Sequence, residues 1–189
     1  ITVFTGFAAL FATLGLGQAL IQRQTLTAEH QDAAFWLSAA MGLLLTCLMA
    51  GLAPVLAWFY GEPTLTPLAL VSALSFLLSS LGVVPIALLS RELRFRELGI
   101  RQVGASLAAG MVGVSLALAG AGPWALVAHA LTLAGAGTLL VWWSSSWRPR
   151  FSFRRQAGGE LMRFGGYLLG FNVVNYWARN LDNLLVGKF

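Results

Sequence analysis

The chain has 189 residues, of which 58% are hydrophobic and only 10% are charged, and its mean hydropathy is +0.76. Soluble domains are usually about 45–50% apolar and about 25% charged, so this composition excludes an ordinary soluble domain and indicates an integral membrane protein. The net charge of +5 does not indicate a nucleic-acid partner, because the basic residues lie mostly in loops between apolar runs. Membrane orientation and anionic lipid head groups account for them instead.

Six apolar runs divide the chain, and each is near the length of about 20 residues that a helix needs to cross a bilayer. The predicted fold is therefore all-α, a polytopic bundle of six transmembrane spans at residues 1–20, 33–60, 65–89, 103–121, 124–143 and 164–189. Pro85 is expected to kink the third span, with neighbouring helices satisfying the carbonyls that it frees. The chain begins inside an apolar run without Met and stops inside another, so we expect both ends to be internal to a longer protein.

Ten of the 12 lysines and arginines are arginines in the loops at residues 21–32, 90–102 and 144–163, which fall on one side of the predicted bundle. The opposite turns, at residues 61–64 and around 122–123, have none. The positive-inside rule therefore places the arginine-rich loops in the cytoplasm. Some of these arginines are candidate contacts to anionic lipid head groups, namely Arg91, Arg94, Arg96 and Arg101. Orientation alone is the competing explanation for them.

The last predicted span carries an unusual polar stripe. At about 100° per residue its polar side chains share one narrow helix face, and they are Asn172, Asn175, Arg179, Asp182 and Asn183. Each charged residue costs about 2.5–3.5 kcal/mol at the bilayer centre, so the stripe predicts a neighbouring helix or a water-filled cavity on that face. The alternative is a charged pair at the outer rim, where Arg179 would snorkel to the surface.

Other spans carry weaker signals. A ridge of small residues at every fourth position in the fourth span favours close helix packing, and it comprises Ala105, Ala109, Gly113, Ala117 and Ala121. The serines at 72, 75 and 79 in the third span indicate either interhelical hydrogen bonds or a transport path.

The two histidines lie far apart in the sequence. His129, within the fifth span, is either hydrogen-bonded across helices or a proton-coupling group. His30 is expected in the solvated start of the second helix beside Asp32, with Thr27 as an N-cap candidate. There is no phosphate-binding loop and no metal-ligand spacing, so we expect no cofactor and no metal.

Several strings resemble the polysaccharide transporter family, which holds the lipid-linked oligosaccharide flippases of O-antigen, capsule and exopolysaccharide synthesis, including colanic-acid-exporter-like members. They run in order along nearly the whole chain: LGLGQALIQR at 14–23, AFWLSAAMGLLL at 34–45, FYGEP at 59–63, LSFLLSSLGVVPIALLSRELRF at 74–95, GPWALVAHAL at 122–131 and NLDNLLVGKF at 180–189. One departure is Thr13, where many members of the family carry an acidic residue.

The resemblance implies a two-lobed, MATE-like bundle with a central cavity that opens alternately to either leaflet. Residues 1–143 would form the N-terminal lobe without its first helix, residues 144–163 a basic cytoplasmic linker, and residues 164–189 the first helix of the C-terminal lobe. Arg179 would bind the diphosphate or sugar of the substrate, Asp182 would orient Arg179, and the asparagines would hydrogen-bond sugar hydroxyls.

The resulting hypothesis is a bacterial inner-membrane flippase, not an enzyme, that moves an undecaprenyl-diphosphate-linked oligosaccharide for polysaccharide biosynthesis. The expected partners are the lipid-linked oligosaccharide, anionic membrane lipids and the polysaccharide polymerase machinery. The alternative is a multidrug or cation antiporter of the same fold. The absence of Asp and Glu from the five spans before residue 164 counts against that alternative, because such antiport needs a titrating carboxylate.

Overall fold

The computed structural model describes residues 16–23 and 25–150, and all the regular structure in these ranges is helical. The helices are α1 (Leu16–Gln22), α2 (Ala28–Tyr60), α3 (Leu65–Leu81), α4 (Val83–Arg91), α5 (Phe95–Leu118) and α6 (Trp124–Ser144). Within the described ranges, four segments are long and apolar enough to cross a membrane: α2, α3 together with α4, α5, and α6. The all-α fold and the membrane class are therefore confirmed. The sixth predicted span and most of the first lie outside the described residues, and the domain boundaries stay predictions.

Two helices begin earlier than predicted. α2 begins at Ala28 rather than at residue 33, and α5 begins at Phe95 rather than at residue 103. Each has a glutamate in its first turn, Glu29 and Glu97 respectively, where a negative charge meets the positive end of the helix dipole. The predicted bounds were wrong here because an apolar run marks only the part of a helix that faces lipid.

The third predicted span breaks at Gly82, between α3 and α4. Pro85 has no N–H, so the Leu81 carbonyl loses its helical donor. The Trp142 indole donates to that carbonyl instead, at 3.0 Å. The predicted kink at Pro85 is thus confirmed, together with the expectation that a neighbouring helix satisfies the freed carbonyl.

A second carbonyl is freed at the same break. The Gly82 N–H bonds to Ser79 O at 3.1 Å rather than to Leu78 O. The Thr138 hydroxyl, also on α6, donates to Leu78 O at 2.7 Å. Thr138 and Trp142 of α6 therefore donate to two carbonyls that an unbroken helix would have bonded to its own N–H groups. These two hydrogen bonds attach α6 to α3 at the break.

The α2–α3 pair packs closely because a glycine faces a small residue. A Cβ built on Gly42 would lie 2.6 Å from the Cβ of Ser80, which shows how near the two backbones come. Thr46 of α2 donates to Ala73 O of α3 at 3.0 Å. Among the predicted serines, Ser75 donates within its own helix, to Ser72 O at 2.6 Å. Polar links between the described helices therefore include the hydroxyls of Thr46 and Thr138, which the sequence did not single out.

The α5–α6 seam follows the predicted ridge of small residues. Ala105 and Ala109 are 3% and 0% exposed, and Gly113 lies against His129 of α6, whose Cβ would be 3.1 Å from a Cβ at position 113. The packing role of this part of the ridge is confirmed.

The outer faces of the bundle are apolar and exposed, as the lipid-facing surface of a membrane protein is. On α2 the exposed side chains are Leu43, Leu44, Leu48, Leu52 and Val55, and on α5 they are Val103, Leu107, Met111, Val114 and Leu118. Contiguous apolar surface of this extent is rare on soluble monomers, which supports burial in the hydrocarbon core.

Candidate functional site

The arginines of the described residues gather at one end of the bundle. This end of the bundle holds the last residues of α1, α4 and α6 and the first residues of α2 and α5. Contacts from Arg91, Arg94 and Arg150 join these helix termini. We term this region the basic end. The described parts of the three arginine-rich loops thus share one end of the molecule, as predicted.

Arg91 holds the end of α1. Its Nη1 donates to the carbonyls of Leu20 at 3.0 Å and Ile21 at 3.2 Å, and also to that of Arg23. The last carbonyls of a helix have no intrahelical donor, and a guanidinium is well suited to satisfy several of them. Arg91 therefore satisfies backbone carbonyls at the end of α1, and its predicted contact to a lipid head group stays a prediction.

Arg94 joins the start of α5 to the end of α6. Its Nε bonds to the Glu97 carboxylate at 3.1 Å, its Nη1 to that of Glu92 at 3.4 Å, and its Nη2 to Ser144 O at 3.1 Å. The hydrogen bond that Arg94 donates to the Glu97 carboxylate raises the pKa of Arg94 above its ordinary value. All three nitrogens of this guanidinium have protein partners.

The other two predicted head-group arginines, Arg96 and Arg101, are less engaged. Arg96 is exposed, and no hydrogen bond joins its side chain to another residue in the described part of the chain. Arg101 is half-buried on the α6-facing side of α5, and its Nε donates to Gly137 O at 3.0 Å.

The segment that follows α6, residues 145–150, docks on the start of α2. The Trp36 indole donates to Arg150 O at 3.0 Å, and the Arg150 N–H donates to Asp32 Oδ1 at 3.1 Å. Asp32 is only 3% exposed, although it follows closely the helix start that the sequence predicts to be solvated around His30. A carboxylate that accepts a backbone N–H offsets part of its desolvation cost. The beginning of the predicted linker is therefore held against the start of α2.

An aromatic cluster supports this segment. Trp147 packs edge-on against Phe35 and lies 6.0 Å from the Trp142 ring, and the Arg148 guanidinium lies over Trp142 at 5.6 Å. Beside the cluster is a cavity of about 340 Å³, lined by Ala28, Gln31, Asp32 and residues 146–150. Its size is at the low end of the range for ligand pockets.

Other predicted site residues have mixed outcomes. His129 packs on Gly113, and no hydrogen bond to it is seen within the described ranges, so proton coupling by His129 stays a prediction. Thr27 occupies the N-cap position of α2 without a side-chain cap bond, and its hydroxyl is instead paired with His30 Nδ1. The polar stripe of the last span lies outside the described residues, and it comprises Asn172, Asn175, Arg179, Asp182 and Asn183. Among the described residues no group of His, Cys, Asp or Glu has the arrangement of a metal site.

All 189 residues match the sequence profile of a protein family described as polysaccharide biosynthesis protein. The chain belongs to this family. The family resemblance predicted from the strings is thereby confirmed.

Curated relatives of the chain come from several bacteria. It is 29% identical to the teichuronic acid biosynthesis protein TuaB of Bacillus subtilis, over 98% of this chain and 39% of the relative. It is 24% identical to the lipopolysaccharide biosynthesis protein WzxC of Escherichia coli, over 98% of this chain and 38% of that protein. The succinoglycan biosynthesis transport protein ExoT of Rhizobium meliloti is 28% identical over 97% of this chain and 37% of its own length. The chain thus spans about two fifths of the length of these relatives. No solved structure gives a significant match.

Proposed function

We propose that the protein is a flippase that moves an undecaprenyl-diphosphate-linked oligosaccharide from the cytoplasmic to the outer leaflet of the bacterial inner membrane. The observation that carries the proposal is the match, along 97% of this chain, to a protein named for succinoglycan transport. A chain with four membrane-length helices in its described part is suited to that task.

The proposed whole protein has two lobes around a central cavity. This chain contributes six spans to it, five in the first lobe and one that opens the second. The arginine-rich end of the bundle faces the cytoplasm, in agreement with the positive-inside rule. The glycan crosses within the polar cavity while the lipid tail remains in the bilayer, and polymerase machinery acts on the product outside.

The proposed substrate-binding face is the polar stripe of the last span. Arg179 binds the diphosphate or sugar, Asp182 orients that guanidinium, and three asparagines hydrogen-bond sugar hydroxyls, namely Asn172, Asn175 and Asn183. Arginine suits this role because its planar fork matches phosphate oxygens in a bidentate geometry.

The experiment is an export assay on Arg179→Ala in the complete protein. We expect polymer export to be lost while membrane insertion and abundance remain normal. Asn180→Ala is the matched control, since the neighbouring residue lies off the polar stripe and its loss should leave export intact. Normal export by Arg179→Ala would remove Arg179 from the mechanism.

A further inference from the structure

Arg101 combines a half-buried position between α5 and α6 with unused hydrogen-bonding capacity. Its guanidinium lies in the α5–α6 seam, with Nη2 3.3 Å from where a Cβ on Gly137 would be, so the glycine makes room for it. An arginine has five N–H donors, and within the described ranges only the Nε–H has an acceptor, Gly137 O at 3.0 Å. Arg94 pairs with Glu92 and Glu97, whereas no carboxylate of the described ranges pairs with Arg101.

The depth of this guanidinium separates it from the surface arginines. α6 has 21 residues and is therefore about 31 Å long, close to the thickness of a bilayer's hydrocarbon core. Gly137 lies seven residues before Ser144, so the guanidinium beside it is about 10 Å inside the end of the helix. Cations at such depth almost always face a bundle interior or a wet cavity and pair with an anion or with carbonyls.

The other three predicted head-group arginines differ from Arg101 in their partners or their exposure. Arg91 is bonded to backbone carbonyls and Arg94 to two carboxylates and a carbonyl. Arg96 is exposed at the surface of the basic end. Arg101 alone among these four is half-buried and has most of its N–H donors without an acceptor in the described part of the chain. Its Nε–H bond to Gly137 O orients the guanidinium.

We propose that Arg101 binds a phosphate group of a lipid that enters the seam between α5 and α6 from the basic end. The remaining N–H groups form the planar fork that grips phosphate oxygens, and the bond to Gly137 O orients that fork. Two lipids carry this chemistry, a lipid-linked diphosphate and a bulk anionic phospholipid. The choice of undecaprenyl diphosphate as the probe rests on the proposed function. The proposed phosphate site does not, because it follows from the position and open N–H groups of Arg101.

The test measures binding of undecaprenyl diphosphate to the complete protein in a neutral detergent. Arg101→Gln should weaken binding roughly 10- to 100-fold, the loss expected for a contact with a charged partner. Arg96→Gln removes the same charge from the exposed start of the same helix, and it should change affinity by less than about threefold. Equal affinity of wild type and Arg101→Gln, or an equal loss in Arg96→Gln, would overturn the proposal.

A second measurement needs no variant and covers the case in which Arg101→Gln fails to fold. Wild-type protein is modified with an arginine-selective dicarbonyl reagent, and the modified residues are located by mass spectrometry. We expect undecaprenyl diphosphate to protect Arg101 and not Arg96. Protection by the diphosphate but not by phosphatidylglycerol assigns the site to the substrate lipid, and protection by both assigns it to lipid phosphates in general. Protection by neither overturns it. Binding without any flipping would leave the Arg101 site standing and contradict the proposed function instead.

Discussion

Gly42→Ala is the substitution whose effect follows most directly from the packing of α2 on α3. The new Cβ would lie 2.1 Å from Ser80 Oγ and 2.6 Å from Ser80 Cβ. A new rotamer can move the hydroxyl of Ser80 but not its Cβ. Because carbon atoms in contact lie about 3.5–4.0 Å apart, the two helices must separate by about 1 Å, a gap that forfeits a quarter to a half of each dispersion contact.

The magnitude combines two opposing effects. Overpacking of this kind costs about 1–3 kcal/mol, and the better helix propensity of alanine returns at most about 1 kcal/mol. We therefore expect Gly42→Ala to lower the free energy of unfolding by about 1–2 kcal/mol. Gly51→Ala is the matched control on the same helix, because a Cβ there meets nothing within 4 Å. It should be neutral or stabilising by about 0.5–1 kcal/mol.

The assay is denaturant or thermal unfolding of the complete protein in detergent, extended to a double-mutant cycle. Ser80→Gly removes both clashing atoms, so it should recover much of the stability in the Gly42→Ala background, with a coupling energy of about 1 kcal/mol or more. The reasoning fails if Gly42→Ala unfolds like the wild type, if Gly51→Ala is equally damaging, or if the two changes at the contact are additive.

Three further expectations concern single backbone groups. Leu93 lies two residues after the end of α4 and has a φ of 56°. This conformation costs a non-glycine residue about 1 kcal/mol, so Leu93→Gly should stabilise the protein by that amount. Gly61 follows α2 with a φ of 68°, so Gly61→Ala should lower the free energy of unfolding by about the same amount. Unfolding curves that do not separate Leu93→Gly from Gly61→Ala would contradict both expectations. Trp142→Phe leaves a freed carbonyl of α3 without its donor and should cost about 1–3 kcal/mol. Pro85→Ala restores an N–H that can bond to that carbonyl, so it should reduce the stability lost in Trp142→Phe. Additive changes in the free energy of unfolding in the variant carrying both substitutions would contradict this role of Trp142. Asp32→Ala removes the acceptor that holds the segment after α6, and limited trypsin digestion should cut that segment faster than in wild type. An unchanged cleavage rate would mean that Asp32 does not hold it.

Features with a local or periodic signal were predictable from the sequence. Apolar run length identified the membrane-length segments, and Pro85 marked the break because a residue without an N–H must free a carbonyl. The four-residue spacing of Ala105 and Ala109 identified the face of α5 that packs on α6. Each of these signals lies within one helix, where the period of 3.6 residues relates sequence to geometry.

Contacts between distant segments were not predictable in the same way. Periodicity shows which face of a helix is special but not which neighbour meets it, so the donors on α6 that satisfy the break in α3 had no sequence signal. Asp32 gave no sequence signal of burial, yet residues 145–150 lie against it and it is only 3% exposed. The four predicted head-group arginines, at positions 91, 94, 96 and 101, could not be distinguished in the sequence. Only the structure shows that their hydrogen-bond acceptors differ and that Arg101 lies between α5 and α6.

A translocation assay with the complete protein reconstituted in liposomes tests directly whether the protein is a flippase. A labelled undecaprenyl-diphosphate-linked oligosaccharide is placed in one leaflet, and its appearance in the other leaflet is followed with a glycan-modifying reagent that cannot cross the bilayer. We expect translocation well above that of protein-free liposomes, and we expect it to be lost in Arg179→Ala. Translocation no faster than in protein-free liposomes would contradict the proposed function.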